Sequence, residues 1–134
     1  MRALALLVAL SFAVPDTARA APSITANLRL TVQGVTAAGG TLRVGLYDEA
    51  TFLAPVSLPL RKQDIARVAG DVSVGFDRLP PGSYAVKAFQ DIDNDSKWEP
   101  GEPQGISNGA APGDFDAAAL TLMPGNTMAV VRLR

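Results

Sequence analysis

Twelve consecutive residues, Asp91–Glu102 (DIDNDSKWEPGE), gather five carboxylates and one lysine. The acids are spaced, not merely crowded. Asp91, Asp93 and Asp95 stand at positions 1, 3 and 5, Glu99 at 9 and Glu102 at 12, and Lys97 at 7 can offer its backbone carbonyl. This is the ligand schedule of an EF-hand-type Ca²⁺ loop. A hard cation of that kind takes six to eight oxygens at about 2.3–2.6 Å. A chain curling around it turns alternate side chains inward, and the last carboxylate closes the far side. The competing reading is a solvated acidic turn, because runs of like charge are ordinarily exposed. The odd-position spacing and the closing glutamate favour a cation. Mg²⁺ fits less well, since it keeps more of its water. At position 6, where such loops carry Gly, this chain has Ser96. A residue with a Cβ must then accept a positive φ, at a cost of about 1 kcal/mol, or else the loop curls a little differently there. Pro100, Gly101 and Pro103 preclude a regular helix leaving the loop, which sets it on a β-domain.

Little other chemistry is on offer. The 134 residues contain neither histidine nor cysteine. That removes the usual general base, the Ser–His and Cys–His nucleophile pairs, and most zinc and transition-metal sites. Disulfides are excluded too, so the domain must fold on its core or borrow a metal. Two-carboxylate glycoside hydrolysis survives on residue types alone, but short strands offer little room for a cleft. The acids near the loop that it does not use are Asp114 and Asp116, which flank Phe115 and read as solvated positions at a strand start. Trp98 reads as a packing residue folded back on the domain, with stacking against a sugar as its alternative role.

The chain opens with Arg2, an apolar run (ALALLVALSFAV) and the small-x-small end Ala18-Arg19-Ala20. This is the layout of a secretory signal peptide over residues 1–20, and the run is shorter than the roughly 20 residues of a membrane-spanning helix. Cleavage leaves residues 21–134 as a single domain, periplasmic or secreted, with no membrane span. That part carries 10 basic and 12 acidic residues. No basic cluster is present to hold phosphate backbones, so nucleic acid is not an expected partner.

The elements that must position the loop read as strands. NLRLTVQ, TLRVGLYD, DVSVGFD and SYAVKAF alternate apolar and polar residues, which assigns Leu28, Leu30, Leu42, Leu46, Val72, Val74, Phe76, Tyr84 and Val86 to a core, with Val44. AAALTLM and TMAVVRL add two more strands, with Leu120 and Leu122 inward, around a turn that suits Pro124 and Gly125 at the centre of type II. Between them, residues 49–70 hold Pro55 and Pro59 and one short strand near Leu58–Lys62. No helix is expected after the leader. About seven short strands with single apolar faces predict an all-β fold, an antiparallel β-sandwich.

The residues Gly40 to the C-terminus resemble the domain-of-unknown-function family 2141 of exported bacterial proteins. VGLYD, LPPGSYAV, the acidic loop and the pair Ser107-Asn108 carry the resemblance. The family pattern has Asn and Gly where this chain has Asp93, Asp95 and Ser96, so this loop is the more acidic. The loop with its following Gly-Glu is also similar to the calcium-binding B-type repeats of surface adhesins, and LPPGSY to a hairpin of their prealbumin-like, immunoglobulin-like sandwich. The resemblance implies that fold and a bound cation, and leaves the role open.

Residues and resemblance together point to an exported, non-catalytic, monomeric sandwich. It would take Ca²⁺ through Asp91, Asp93, Asp95, Lys97, Glu99 and Glu102 and serve as a structural or binding module for a protein or glycan. The alternative is a carbohydrate-binding module or small hydrolase built around Trp98.

Overall fold

The computed structural model describes residues 24–134, so the leader expected over 1–20 lies outside the described residues. Eight strands and two short helices follow in the order β1 (Ala26–Val35), β2 (Thr41–Tyr47), α1 (Glu49–Leu53), β3 (Arg61–Ala66), β4 (Gly70–Leu79), β5 (Gly82–Asp91), β6 (Gln104–Ile106), α2 (Phe115–Ala118), β7 (Leu120–Leu122) and β8 (Gly125–Arg132). They form a β-sandwich. One sheet has the order β4-β1-β8, and the other runs β3-β2-β5-β6 with β7 pairing β5 beside β6. No helix among the described residues is long and apolar enough to cross a membrane.

Period-2 alternation fills the space between the sheets. Eleven of the twelve side chains assigned to the core from sequence are buried there, Leu28, Leu46, Val86 and Leu122 completely. Leu120 is only partly buried against them. The pairs are antiparallel apart from one: β8 runs parallel to β1, from Ala26↔Gly125 to Gln33↔Arg132. Alternation says which side chains face inward but is blind to strand direction. The chain reaches β8 from the opposite sheet through β7, a crossover that permits a parallel neighbour.

Three local expectations shift. The strand expected near Leu58–Lys62 runs instead from Arg61 to Ala66, and Leu58 and Leu60 remain exposed. β3 is a charged edge strand whose sequence, RKQDIA, does not alternate, so its apolar neighbours drew the reading toward themselves. AAALTLM begins helically, with α2 ending at Ala118 before β7 starts at Leu120. A helix also follows β2, where Asp48 and Thr51 form a reciprocal capping box and Pro55 lies just beyond. Both helices span about one turn, too short for a helical period to register.

These helices build a second apolar layer on the outer face of the five-stranded sheet. Tyr47, Phe52, Ala85, Phe115 and Ala118 cluster there, with Phe52 edge-on to Tyr47 and to Phe115. Lys87 lays its ammonium over Tyr47 and Phe52, 4.7 and 4.3 Å from the ring centroids. Partial burial pulls its pKa down. Ser107 fastens the layer. Its buried hydroxyl accepts from the Val86 amide at 3.0 Å and donates to the Ala118 carbonyl at 2.6 Å. Asn108, at φ 59°, donates to the carbonyls of Ala117 and Ala119. The Ser-Asn pair is thus the clasp that holds α2 against β5 and β6.

Candidate metal centre

The acidic loop leaves the end of β5, where Asp91 pairs with Thr41 at the start of β2. Neighbours fix that end firmly. Gln90 is buried, and its amide makes four hydrogen bonds, two from the amide and hydroxyl of Thr36 and two to the carbonyls of Thr36 and Gly39. Gly40 (φ 81°) passes so close to Asp91 that a Cβ would lie 2.1 Å from the Asp91 carbonyl oxygen. No side chain can occupy that position without moving the loop.

Asp91 is fully buried. Its Oδ2 accepts from Arg43 Nε at 2.6 Å and from the Ser96 amide at 2.8 Å, and its Oδ1 from the Asp95 amide at 3.2 Å. The Asp95 amide is shared with Asp93 Oδ1, and Asp95 Oδ1 accepts from the Lys97 amide. Ser96 adopts φ 67°, the first of the two alternatives open to it, and Asn94 adopts φ 57°. Asn94 in turn accepts from the Thr41 hydroxyl at 2.7 Å. Glu102, almost buried, closes the loop by accepting the Ile92 amide (2.7 Å) and the Glu99 amide (2.9 Å) on its two oxygens.

Asp91, Asp93, Asp95 and Glu102 each bring one oxygen to within 4.8 Å of the others, a cluster that could hold a metal ion. Glu99 is not in this set. It is tied instead to Asp95, and the Asp95 hydrogen bond with repulsion from Asp93 and Asp95 pushes its pKa up to about 7. Lys97 is exposed and joins the loop through its amide. At Asp91, burial pushes the carboxyl up, but Arg43, the Ser96 amide and Asp93 outweigh it and hold the pKa below the ordinary value. Desolvation and the Asp91 carboxyl raise Asp93, whereas the hydrogen bond from Glu99 and the Lys97 amide lower Asp95.

The donor set suits a hard divalent cation. A carboxylate has about four acceptor positions. Backbone amides and Arg43 take three at Asp91, two at Glu102 and one each at Asp93 and Asp95, so each of the four has a lone pair for an ion once the protons shared by Asp91 with Asp93 and by Asp95 with Glu99 leave. Spacing alone did not reveal Arg43. It lies 48 residues upstream of Asp91, reaches Asp64 with its other end at 3.4 Å, and is the counter-charge built into the site. Asn94 was missed as well, although Asn tolerates positive φ.

One acid of the alternative reading is otherwise engaged. Asp114 caps α2 by accepting the Ala117 amide at 3.1 Å. Trp98 is 43 % exposed, and its indole N–H donates to the Glu102 carbonyl at 3.0 Å.

Two structures of a pilus-presented adhesin, Spy0125 (Cpa), are similar at 16 % identity. They have TM-scores of 0.38 and 0.36 and cover 83 % and 82 % of this chain. The chain spans 27 % of the adhesin's length. No curated protein sequence matches. Residues 30–130 match the family model described as "Uncharacterized protein conserved in bacteria (DUF2141)", and the chain belongs to that family.

Proposed function

We propose that this protein is an exported, non-catalytic β-sandwich module whose Asp91–Glu102 loop binds Ca²⁺ and so rigidifies one end of the domain for contact with a protein or glycan. The observation that carries this reading is the convergence of four carboxylate oxygens within 4.8 Å at the end of β5. Asp91, Asp93, Asp95 and Glu102 would supply side-chain oxygens, Lys97 its carbonyl, and Glu99 a direct or water-bridged ligand once the ion displaces the proton it shares with Asp95. Ca²⁺ is favoured over Mg²⁺ by the number of protein oxygens available. The apolar run before Ala20 supports export. The total lack of histidine and cysteine supports a role without catalysis.

Calorimetric titration tests it. Ca²⁺ should bind once per chain with a Kd of roughly 10⁻⁴–10⁻³ M, the range of extracellular modules, and Asp93→Asn with Asp95→Asn should weaken it at least tenfold. Absence of heat at millimolar Ca²⁺, or equal uptake by the double variant, overturns the reading.

A further inference from the structure

Two motifs of the sequence take no part in the metal centre, VGLYD (Val44–Asp48) and LPPGSY (Leu79–Tyr84). The fold brings them together at the end of the sandwich opposite the acidic loop: Tyr47 pairs with Ala85 at this end, and Thr41 with Asp91 at the other. Two neighbouring pockets open here. The walls of one, of about 500 Å³, include Asp48, Glu49, Ser83 and Phe115. The walls of the other, of about 420 Å³, include Asp48, Arg61, Pro80, Ser83 and Tyr84. Asp48 and Ser83 belong to both, so the two form one open groove. It runs over the end of β5, from Phe115 of the outer layer to Tyr84 at the margin of the inner core. Each lobe lies within the range of about 300–1,000 Å³ typical of ligand sites. The Tyr84 hydroxyl donates to the Pro80 carbonyl at 2.5 Å and pins the turn that forms one wall.

Polar groups of both kinds meet in this groove with bonding capacity to spare. Thr51 gives its amide and its hydroxyl to Asp48 Oδ1, at 2.9 and 2.8 Å, and Asp48 Oδ2 has no partner among the described residues. Arg61 donates to the Asp77 carbonyl at 3.3 Å and forms no ion pair among the described residues, so most of its five N–H donors are unspent. Ser83 and Pro80 are exposed. Both charges reach Tyr84: burial raises its pKa, Asp48 adds to the rise and Arg61 opposes it. We propose that the groove binds a neutral glycan, with Asp48 Oδ2 accepting from sugar hydroxyls, Arg61 and Ser83 donating to them, and Pro80 and Phe115 meeting the apolar faces of the rings. Acceptor and donors side by side match vicinal hydroxyls, each of which both donates and accepts. Opposite charges on the two walls match neither an anion nor a cation. A peptide adding as a strand needs a free edge, and beyond its last pair with β2 the strand β5 offers just Gly82–Tyr84, less than a typical strand of about 5–6 residues. The open, two-lobed shape suits successive sugar units. This is a second binding site, and it does not rest on Ca²⁺ occupying the acidic loop.

The test is an NMR titration of the isotope-labelled exported protein with soluble oligosaccharides of glucose, mannose, galactose and N-acetylglucosamine. Chelator is present throughout, which separates the outcome from that of the Ca²⁺ titration. With at least one sugar series, the amides of Asp48–Ala50, Arg61 and Gly82–Tyr84 should shift, and those of Asp91–Glu102 should not. Asp48→Asn keeps a side chain that caps the helix and removes the charge, and should weaken binding at least fivefold. Ser83→Leu, at an exposed position shared by both lobes, should abolish it with the melting curve unchanged. Trp98→Ala should bind as its parent does. Absence of shifts with all four sugar series at 10 mM overturns the proposal. So does undiminished binding by Ser83→Leu, or loss of binding in Trp98→Ala, which would move the sugar to the acidic loop. Equal shifts in the groove with acetate or with a trialanine peptide would assign it to anions or to peptides and overturn it as well.

Discussion

Replacing Arg43 by Met removes the one side-chain cation that touches a fully buried carboxylate. Arg43 Nε lies 2.6 Å from Asp91 Oδ2, and Asp91 is 0 % exposed. Breaking a buried ion pair from one side typically costs about 3–5 kcal/mol. Here Asp91 keeps the amides of Ser96 and Asp95, and Arg43 is itself 21 % exposed. The loss should therefore fall lower, at about 2–3 kcal/mol. For a domain of this size each kcal/mol moves the melting point by about 4 °C, so Arg43→Met in chelator should melt about 8–12 °C below the unmutated protein. Ca²⁺ changes the outcome. An ion beside Asp91 supplies the missing positive charge and no longer competes with the guanidinium for that carboxylate. At 10 mM Ca²⁺ the deficit should shrink by at least half, and the variant should bind Ca²⁺ more tightly than its parent. Differential scanning calorimetry in chelator and across a Ca²⁺ series measures both quantities. A deficit that is the same with and without Ca²⁺, or smaller than about 2 °C in chelator, refutes the claim that Arg43 and the ion serve the same carboxylate.

Other predictions concern the frame and the protons. Ser107→Ala strands the Val86 amide and the Ala118 carbonyl and should cost about 2–3 kcal/mol in urea denaturation, with no change in Ca²⁺ affinity. Val86→Asp puts a charge at a fully buried core position and should abolish the cooperative transition seen by circular dichroism. Gly40→Ala, with its Cβ directed at the Asp91 carbonyl, should weaken Ca²⁺ binding in calorimetry, although the residue touches no ion. For pH, the sign follows from Glu99, whose pKa rises from 4.5 unfolded to about 7 in the folded loop. Its contribution to the metal-free protein is present below about pH 4.5 and is lost as pH rises through about 7, so melting in chelator should fall across that window. Ca²⁺ affinity should rise over the same window, because the ion displaces the proton, and Glu99→Gln should flatten both trends.

The sequence carried the inner face of the sandwich and the acidic loop because both are written as short-range periods. Alternation every second residue marks Leu28, Leu30 and Val32 of β1 as inward, and the tool of odd-numbered spacing brings Asp91, Asp93 and Asp95 together. What lay beyond reach is set by long-range or non-periodic physics. The parallel placement of β8 on β1 depends on a crossover between sheets. The outer layer rests on helices of five and four residues, too brief to show a period, although Asp48 three residues before Thr51 was a readable cap signal. The Arg43–Asp91 pair joins neighbouring strands through a register that residue types do not specify. Glu102 was legible as the closing acid, but its role in clamping the Ile92 and Glu99 amides is a property of the folded turn.

The most direct test of the central claim is the melting temperature of the unmutated protein as a function of free Ca²⁺, from chelator to 10 mM, with Mg²⁺ at the same concentrations as control. With Kd about 0.1 mM, 1 mM Ca²⁺ should add about 1.4 kcal/mol, a rise of about 5–6 °C. The curve should then climb in proportion to the logarithm of Ca²⁺ concentration, and Mg²⁺ should move it much less. A melting temperature that stays constant from chelator to 10 mM Ca²⁺ would contradict the account and leave Asp91–Glu102 as an acidic turn held by Arg43 and its own amides.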